Sequence, residues 1–342
     1  MSVLASAAPS LKGAATGAAE PLFSINGLEV AFESAAGSLR VLGGVDLSLG
    51  RGEALGIVGE SGSGKTLTFM AALGLLGRNA RVSGEVHFAG RKLTGLSESE
   101  LLAIRGRKIG MIFQDPQSAL NPVRTIGAHL TEVLRLHAGL ARSAAHDRAV
   151  ELLSMVGIPA ARERLGSYPH ELSGGMCQRA MIAIALAPEP ELLIADEPTT
   201  ALDATVQLQV LELLSDIRER TGMAMVMISH DLGVVAELCS RVSIMYAGRV
   251  VENGRVPEIF EKPCHPYTEA LLSCLPSLDG DAVPVTGIAG DVPVAGAYPP
   301  GCVFAPRCAR ASAICGWSRP ILQPVAGHAA YVACHNPIGG LH

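Results

Sequence analysis

The stretch Gly59-Glu60-Ser61-Gly62-Ser63-Gly64-Lys65-Thr66 constrains this chain more than any other. It matches G-x-x-x-x-G-K-[ST], the pattern of a phosphate-binding loop. The apolar run Ala54–Val58 before it reads as a strand, and Thr66–Leu76 after it reads as a helix. The glycines permit backbone conformations that turn amides inward on a phosphate, where a side chain would collide. The following helix start adds unpaired N–H groups and the positive end of its dipole. Lys65 can reach the β- and γ-phosphates, and the Thr66 hydroxyl can ligate Mg²⁺.

The rest of the chain supplies a sheet for that loop. Lys108–Phe113, Leu192–Ala195 and Ala224–Ser229 are short apolar runs, and Val206–Arg220 carries helical spacing of its apolar residues. Near-continuous apolar strands separated by helices predict an α/β fold whose mostly parallel sheet is buried on both faces. Asp196-Glu197 follow one such strand at its C-terminal end, where ligands bind in open α/β sheets. Asp196 would hold Mg²⁺, directly or through water. Glu197 would sit beside the γ-phosphate and orient or deprotonate the attacking water. An acidic pair after a strand can also be a helix N-cap; its company with the loop favours the catalytic reading.

Composition removes several classes. With 27 basic and 32 acidic residues the net charge is −5, which argues against a chain that holds nucleic acid mainly through phosphate contacts. Only 17% of residues are charged and 49% are apolar, which excludes a largely disordered chain. The 342 residues suggest two domains, at roughly 150 residues each. No apolar run approaches the roughly 18 residues needed to span a bilayer; Met181–Ala187 and Met223–Ile228 are among the longest. Residues 1–21 are rich in Ala, Ser and Gly and lack a secretory pattern, so they are expected to be a disordered tail of a cytoplasmic protein with reduced cysteines. No cysteine precedes Cys177, and four (Cys302, Cys308, Cys315, Cys334) crowd a segment rich in Pro and Gly. That segment reads as a small appendage of separate construction, joined through a linker at Asp279–Tyr298.

Further motifs narrow the reading. Leu172-Ser173-Gly174-Gly175-Met176-Cys177-Gln178-Arg179 resembles the LSGGQ signature of ATP-binding cassette (ABC) ATPases. Gln114 stands after a strand at the Q-loop position, Ala201-Leu202-Asp203 at the D-loop position, and His230 at the switch-histidine position. Phe32 falls where an aromatic commonly stacks on adenine. The segments GESGSGKT, MIFQDPQSALNP, YPHELSGGM, ADEPTTALDATVQ, ISHDLGVVAE and CHPYTEALLSCLP are similar to the oligopeptide/dipeptide/nickel importer branch, as is the C-terminal GCVFAPRC pattern. The likeness runs from about Leu22 to Pro337. Cys177 departs from it, since that branch usually carries Arg there.

The resemblance implies a P-loop NTPase core at 22–263 with a helical subdomain near 115–185 and an antiparallel β subdomain, then an importer-type extension at 264–342. It implies that MgATP is bound by Phe32, Gly59, Glu60, Ser61, Gly62, Ser63, Gly64, Lys65, Thr66, Gln114 and Asp196. Ser173, Gly174, Gly175 and Asp203 would act in trans on a second ATPase subunit, preferably a related chain in a heterodimer. Ser173 is a good N-cap, and its glycines leave amides open to an anion. Thr66, Gln114 and Asp196 would hold Mg²⁺; Lys65, Gln114, Glu197 and His230 would carry catalysis. Two membrane permease subunits and an extracytoplasmic solute-binding protein are the implied partners, with no nucleic acid, and the implied place is the cytoplasmic face of the inner membrane. The alternative class, an ABC-type ATPase acting on nucleic acid or ribosomes, usually carries long coiled-coil insertions or tandem cassettes, which are absent from this sequence.

The spacing Cys302-x5-Cys308-x6-Cys315-x18-Cys334 places four thiols in a compact tail. They suit a [4Fe–4S] cluster or tetrahedral zinc, or are buried free cysteines. The lack of a C-x-x-C pair weakens a zinc-finger reading, and the resemblance puts iron–sulfur first among the metals. Cys177, Cys239, Cys264 and Cys274 read as packing residues. His265-Pro266-Tyr267-Thr268 also matches the branch, with no chemistry assigned to it.

Overall fold

The computed structural model describes residues 20–35, 37–200, 202–275 and 287–339. Nearly all of the expected tail, Ala201 and the first part of the expected linker lie outside these residues. Among the described residues there are twelve strands: β1 (Phe23–Ser34), β2 (Gly37–Leu49), β3 (Ala54–Val58), β4 (Ala80–Phe88), β5 (Arg91–Lys92), β6 (Ile109–Ile112), β7 (Leu192–Asp196), β8 (Ala224–Ser229), β9 (Arg241–Tyr246), β10 (Arg249–Arg255), β11 (Gln323–Pro324) and β12 (Tyr331–Val332). They form two sheets.

The larger sheet has the order β11-β12-β10-β9-β3-β8-β7-β6. Its strands from β6 to β9 are parallel, with β3 between β8 and β9. Every residue of β3, β7 and β8 is buried. That is the pattern of a sheet covered on both faces, and it explains why these strands lack polar alternation. Because they run the same way, the segments after β3, β6, β7 and β8 emerge at one edge.

The smaller sheet, β2-β1-β4-β5, is antiparallel throughout. Phe23 of β1 stacks on Phe69 of the helix Lys65–Ala72, with ring centroids 6.4 Å apart. This contact ties the second sheet to the helix behind the phosphate loop. That helix is shorter than the expected Thr66–Leu76. Gly74 takes φ +64 just past its end, a backbone turn that stops a helix and suits glycine.

The helices Ile126–His137, Arg142–Met155 and Gly174–Leu186 pack on one another beside β6. In the first, Ile126, Leu130 and Leu134 are buried at four-residue spacing, and the Thr125 hydroxyl caps the start by accepting from the Ala128 amide. The helix Ala204–Thr221 begins at the Asp203 cap and ends at Gly222 with φ +66. No helix among the described residues is long and apolar enough to cross a membrane.

The C-terminal segment is less separate than its composition suggests. β12 pairs with β10, Glu252 opposite Val332, and so extends the main sheet. Cys302, Val303, Phe304, Cys315 and Ala330 join the same apolar core as the helical region. A segment this short has too little interior of its own and shares that of its neighbour.

Candidate active site

The loop after β3 is held in shape by backbone geometry. Gly62 and Gly64 take φ +77 and +95, where a side chain would be strained. A Cβ at Gly59 would run into the Met245 carbonyl. Lys65 is 6% exposed, and its ammonium donates to the carbonyls of Gly59 (2.8 Å) and Glu60 (3.2 Å). Burial lowers its pKa, and the nearby carboxylates of Glu197 and Asp196 oppose that shift. The Ser63 hydroxyl is buried without a partner. Residues 61–67 with Val41, Gln114 and Glu197 line a cavity of about 280 Å³. A cradle with an orphan hydroxyl and a lysine held only by carbonyls fits a phosphate chain.

Asp196 ends β7 and is buried. The Thr66 hydroxyl donates to its Oδ1 at 2.9 Å. Burial raises the Asp196 pKa, as does Glu197 beside it, while the Thr66 hydrogen bond and Lys65 pull it down. One carboxylate and one hydroxyl suit Mg²⁺ that arrives with its nucleotide, because that ion keeps waters and phosphate oxygens as its other ligands.

Glu197 stands in the left-handed region at φ +46, a conformation that costs a non-glycine residue about 1 kcal/mol. Its amide donates to the Ile228 carbonyl of β8, which holds the turn in place. Its Oε2 accepts from Gln114 Nε2 (3.0 Å) and the Thr200 hydroxyl (2.9 Å), and lies 3.2 Å from His230 Nδ1. Two strand ends and the turn after Glu197 therefore aim side chains at one carboxylate oxygen. Such an oxygen can orient a water and take its proton.

The other expected residues lie elsewhere. Ser173 caps the helix Gly174–Leu186, accepting from the Met176 amide at 3.3 Å, and a Cβ on Gly174 would meet open space. Asp203 caps its helix through the Val206 amide at 3.0 Å. Ser173, Gly174 and Asp203 are outside the residues lining the loop cavity. The Glu60 carboxylate faces Arg307, whose guanidinium donates to it, and Glu60 is not among the residues lining the cavity. Phe32 packs against the core of the smaller sheet and does not line the cavity. The Cys177 thiol is buried and donates to the Pro169 carbonyl at 3.0 Å.

The four C-terminal cysteines share one neighbourhood, where burial first and then the other thiols raise the pKa of Cys302, Cys308 and Cys334. Yet no group of three or more His, Cys, Asp or Glu among the described residues is placed to hold a metal ion. The arrangement as it stands does not fit the expected cluster. Thr200 and Arg307 carry no role in the motifs, and Tyr267 stands in one whose chemistry the sequence does not reveal. Thr200 had a signal, three residues beyond Glu197 in the turn that closes on it.

The loop, the acidic strand end and the sheet order define a P-loop protein of the α/β class. The ABC transporter family description matches residues 42–200, and the oligopeptide/dipeptide transporter C-terminal region matches 251–315. A putative peptide import ATP-binding protein of Brucella abortus is 49% identical over 311 residues, covering 91% of this chain and 94% of that protein. The oligopeptide transport ATP-binding protein OppD of Salmonella typhimurium is 45% identical over 332 residues, covering 96% and 98%. Among solved structures, the dimeric ATP-binding cassette MJ0796 in a post-hydrolysis state with ADP and Pi matches at TM-score 0.62 and 28% identity, over 68% of this chain and 98% of that one. The chain belongs to the ABC transporter ATP-binding family, with the C-terminal region of its oligopeptide/dipeptide branch.

Proposed function

We propose that this chain is the ATP-hydrolysing subunit of an importer for peptides. The observation that carries the chemistry is the convergence of Lys65, the Thr66–Asp196 pair and Glu197 at one sheet edge. The names of its relatives support the cargo.

Lys65 and the loop amides hold the β- and γ-phosphates, and Thr66 and Asp196 face the Mg²⁺ of the substrate. Glu197 aligns a water and accepts its proton. Gln114 and His230 steady the Glu197 oxygen, so a change at either edge of the site reaches the base. Positive charge from Lys65 offsets the charge that builds on the transferred phosphoryl group. Ser173, Gly174 and Gly175 serve a second subunit's nucleotide, and Asp203 faces the same boundary. ATP performs mechanical work by binding the closed dimer better than the open one. The partners are a related ATPase subunit, two permease subunits and, through them, a solute-binding protein, with this chain at the cytoplasmic face of the inner membrane. A [4Fe–4S] cluster on the four cysteines has only the resemblance and their shared location behind it. Iron and zinc analysis of the purified chain tests it, and absence of both removes it.

Reconstitution with the permeases and partner ATPase in vesicles tests the whole reading. ATP-dependent peptide uptake that stops with Glu197→Gln is expected. Uptake of no peptide, with some other solute carried instead, would overturn the cargo; full uptake by the variant would overturn the site.

A further inference from the structure

Glu60 sits second in the phosphate loop, and each of its polar groups is engaged. Its amide donates to the Tyr267 hydroxyl at 3.0 Å. Its carbonyl accepts from the Ser63 amide (3.1 Å) and from Lys65 (3.2 Å). Its carboxylate takes both terminal nitrogens of Arg307, at 2.8 and 3.2 Å. Two of these partners come from the C-terminal region, more than 200 residues along the chain.

Both partners are themselves immobilised. The Arg307 side chain is 5% exposed and donates to the carbonyls of Ala289 (3.0 Å) and Ile288 (3.1 Å). Its guanidinium lies over the Tyr246 ring, 5.8 Å from the centroid. Tyr267 is fully buried between Tyr246 and Phe304. Its amide donates to His265 Nδ1 at 3.0 Å, which fixes the helix start that presents the ring. A planar, bidentate arginine on a mostly buried carboxylate is a directional contact, unlike a loose surface pair.

We propose that Arg307 and Tyr267 are positioning residues for nucleotide binding, which hold the phosphate loop through Glu60 and neutralise a carboxylate that would otherwise repel the triphosphate. The loop works by the aim of its amides, so its curvature must be set before nucleotide arrives. A bare carboxylate within the same short loop opposes every phosphate oxygen, and a paired one does not. The two family regions, 42–200 and 251–315, therefore meet at the nucleotide site. This inference rests on the ATPase reading above and adds a dependence of ATP affinity on the C-terminal region.

The test uses the full chain and measures equilibrium MgATP affinity and steady-state turnover. Arg307→Gln is expected to weaken MgATP binding and raise KM about tenfold, with kcat at saturation changed little. Adding Glu60→Gln to it is expected to recover most of that affinity, because the uncompensated charge is gone. A purely structural role for Arg307 would give no such recovery. Tyr267→Phe keeps the buried ring, removes only the hydroxyl, and is expected to cost about threefold in affinity. Unchanged affinity in folded Arg307→Gln overturns the proposal, as does a double variant no better than the single one. If Arg307→Gln does not fold, Tyr267→Phe decides, and unchanged affinity there overturns the proposal. Lys65→Ala is run alongside: binding that depends on Lys65 but on neither Arg307 nor Tyr267 sinks only this inference, whereas a wild-type chain that binds no MgATP sinks the ATPase reading itself.

Discussion

Thr66 donates its hydroxyl to Asp196 across 2.9 Å, a bond between residues 130 positions apart that ties the phosphate loop to the end of a neighbouring strand. Thr66→Val keeps the shape and removes the hydroxyl. Buried Asp196 then loses the hydrogen bond that opposes its raised pKa. The Mg²⁺ concentration for half-maximal turnover is expected to rise about tenfold, as for a lost charge-assisted hydrogen bond. Magnesium titration of ATPase activity checks this, and an unchanged midpoint contradicts it.

Lys65 holds two loop carbonyls and is nearly enclosed by protein, so its replacement removes both a phosphate donor and a brace of the loop. Lys65→Ala is expected to weaken ATP binding by at least about tenfold, the value of a hydrogen bond to a charged group. Calorimetric titration reads this directly. Affinity equal to wild type would remove the loop's assigned role.

His265 carries a dependence of stability on pH. Burial pushes its pKa down to about 3, from an ordinary value of 6.5. Between those values the unfolded chain binds a proton that the folded chain refuses. The His265 contribution to stability is therefore complete above about pH 6.5 and is lost as pH falls toward the folded value, by up to about 1.4 kcal/mol per pH unit. Urea unfolding at pH 7 and pH 5 measures the slope. His265→Asn keeps a side-chain acceptor for the Tyr267 amide and should lessen the slope by about one proton. An identical slope in both proteins would refute the assignment.

The parts of this molecule legible in the sequence are those with local causes. β3, β7 and β8 announce themselves because strands buried on both faces need continuous apolar runs, and the loop does so because its glycines adopt positive φ. Glu197 was readable as the residue after a buried strand. Its left-handed turn, braced by Ile228 and Thr200, was not, since that depends on a strand paired from elsewhere in the chain. The end of the helix Lys65–Ala72 turned on the backbone of a single glycine, Gly74. The addition of β12 to the main sheet rests on two paired residues, too few to show a period. Arg307 and Glu60 meet across 247 positions, and neither residue carries any mark of the other. Phe32 is partly buried against the core beneath the smaller sheet and lies outside the lining of the phosphate-loop cavity.

The most direct test of the chemistry assigned to this sheet edge is paired measurement of MgATP binding and turnover for Glu197→Gln. The amide preserves size and can keep a hydrogen bond, but it cannot take a proton from water. Binding within about threefold of wild type, with turnover reduced at least about 100-fold, is the expected result. Wild-type turnover by that variant would contradict the placement of the base at Glu197 and the catalytic reading of the edge where Gln114, Thr200 and His230 converge.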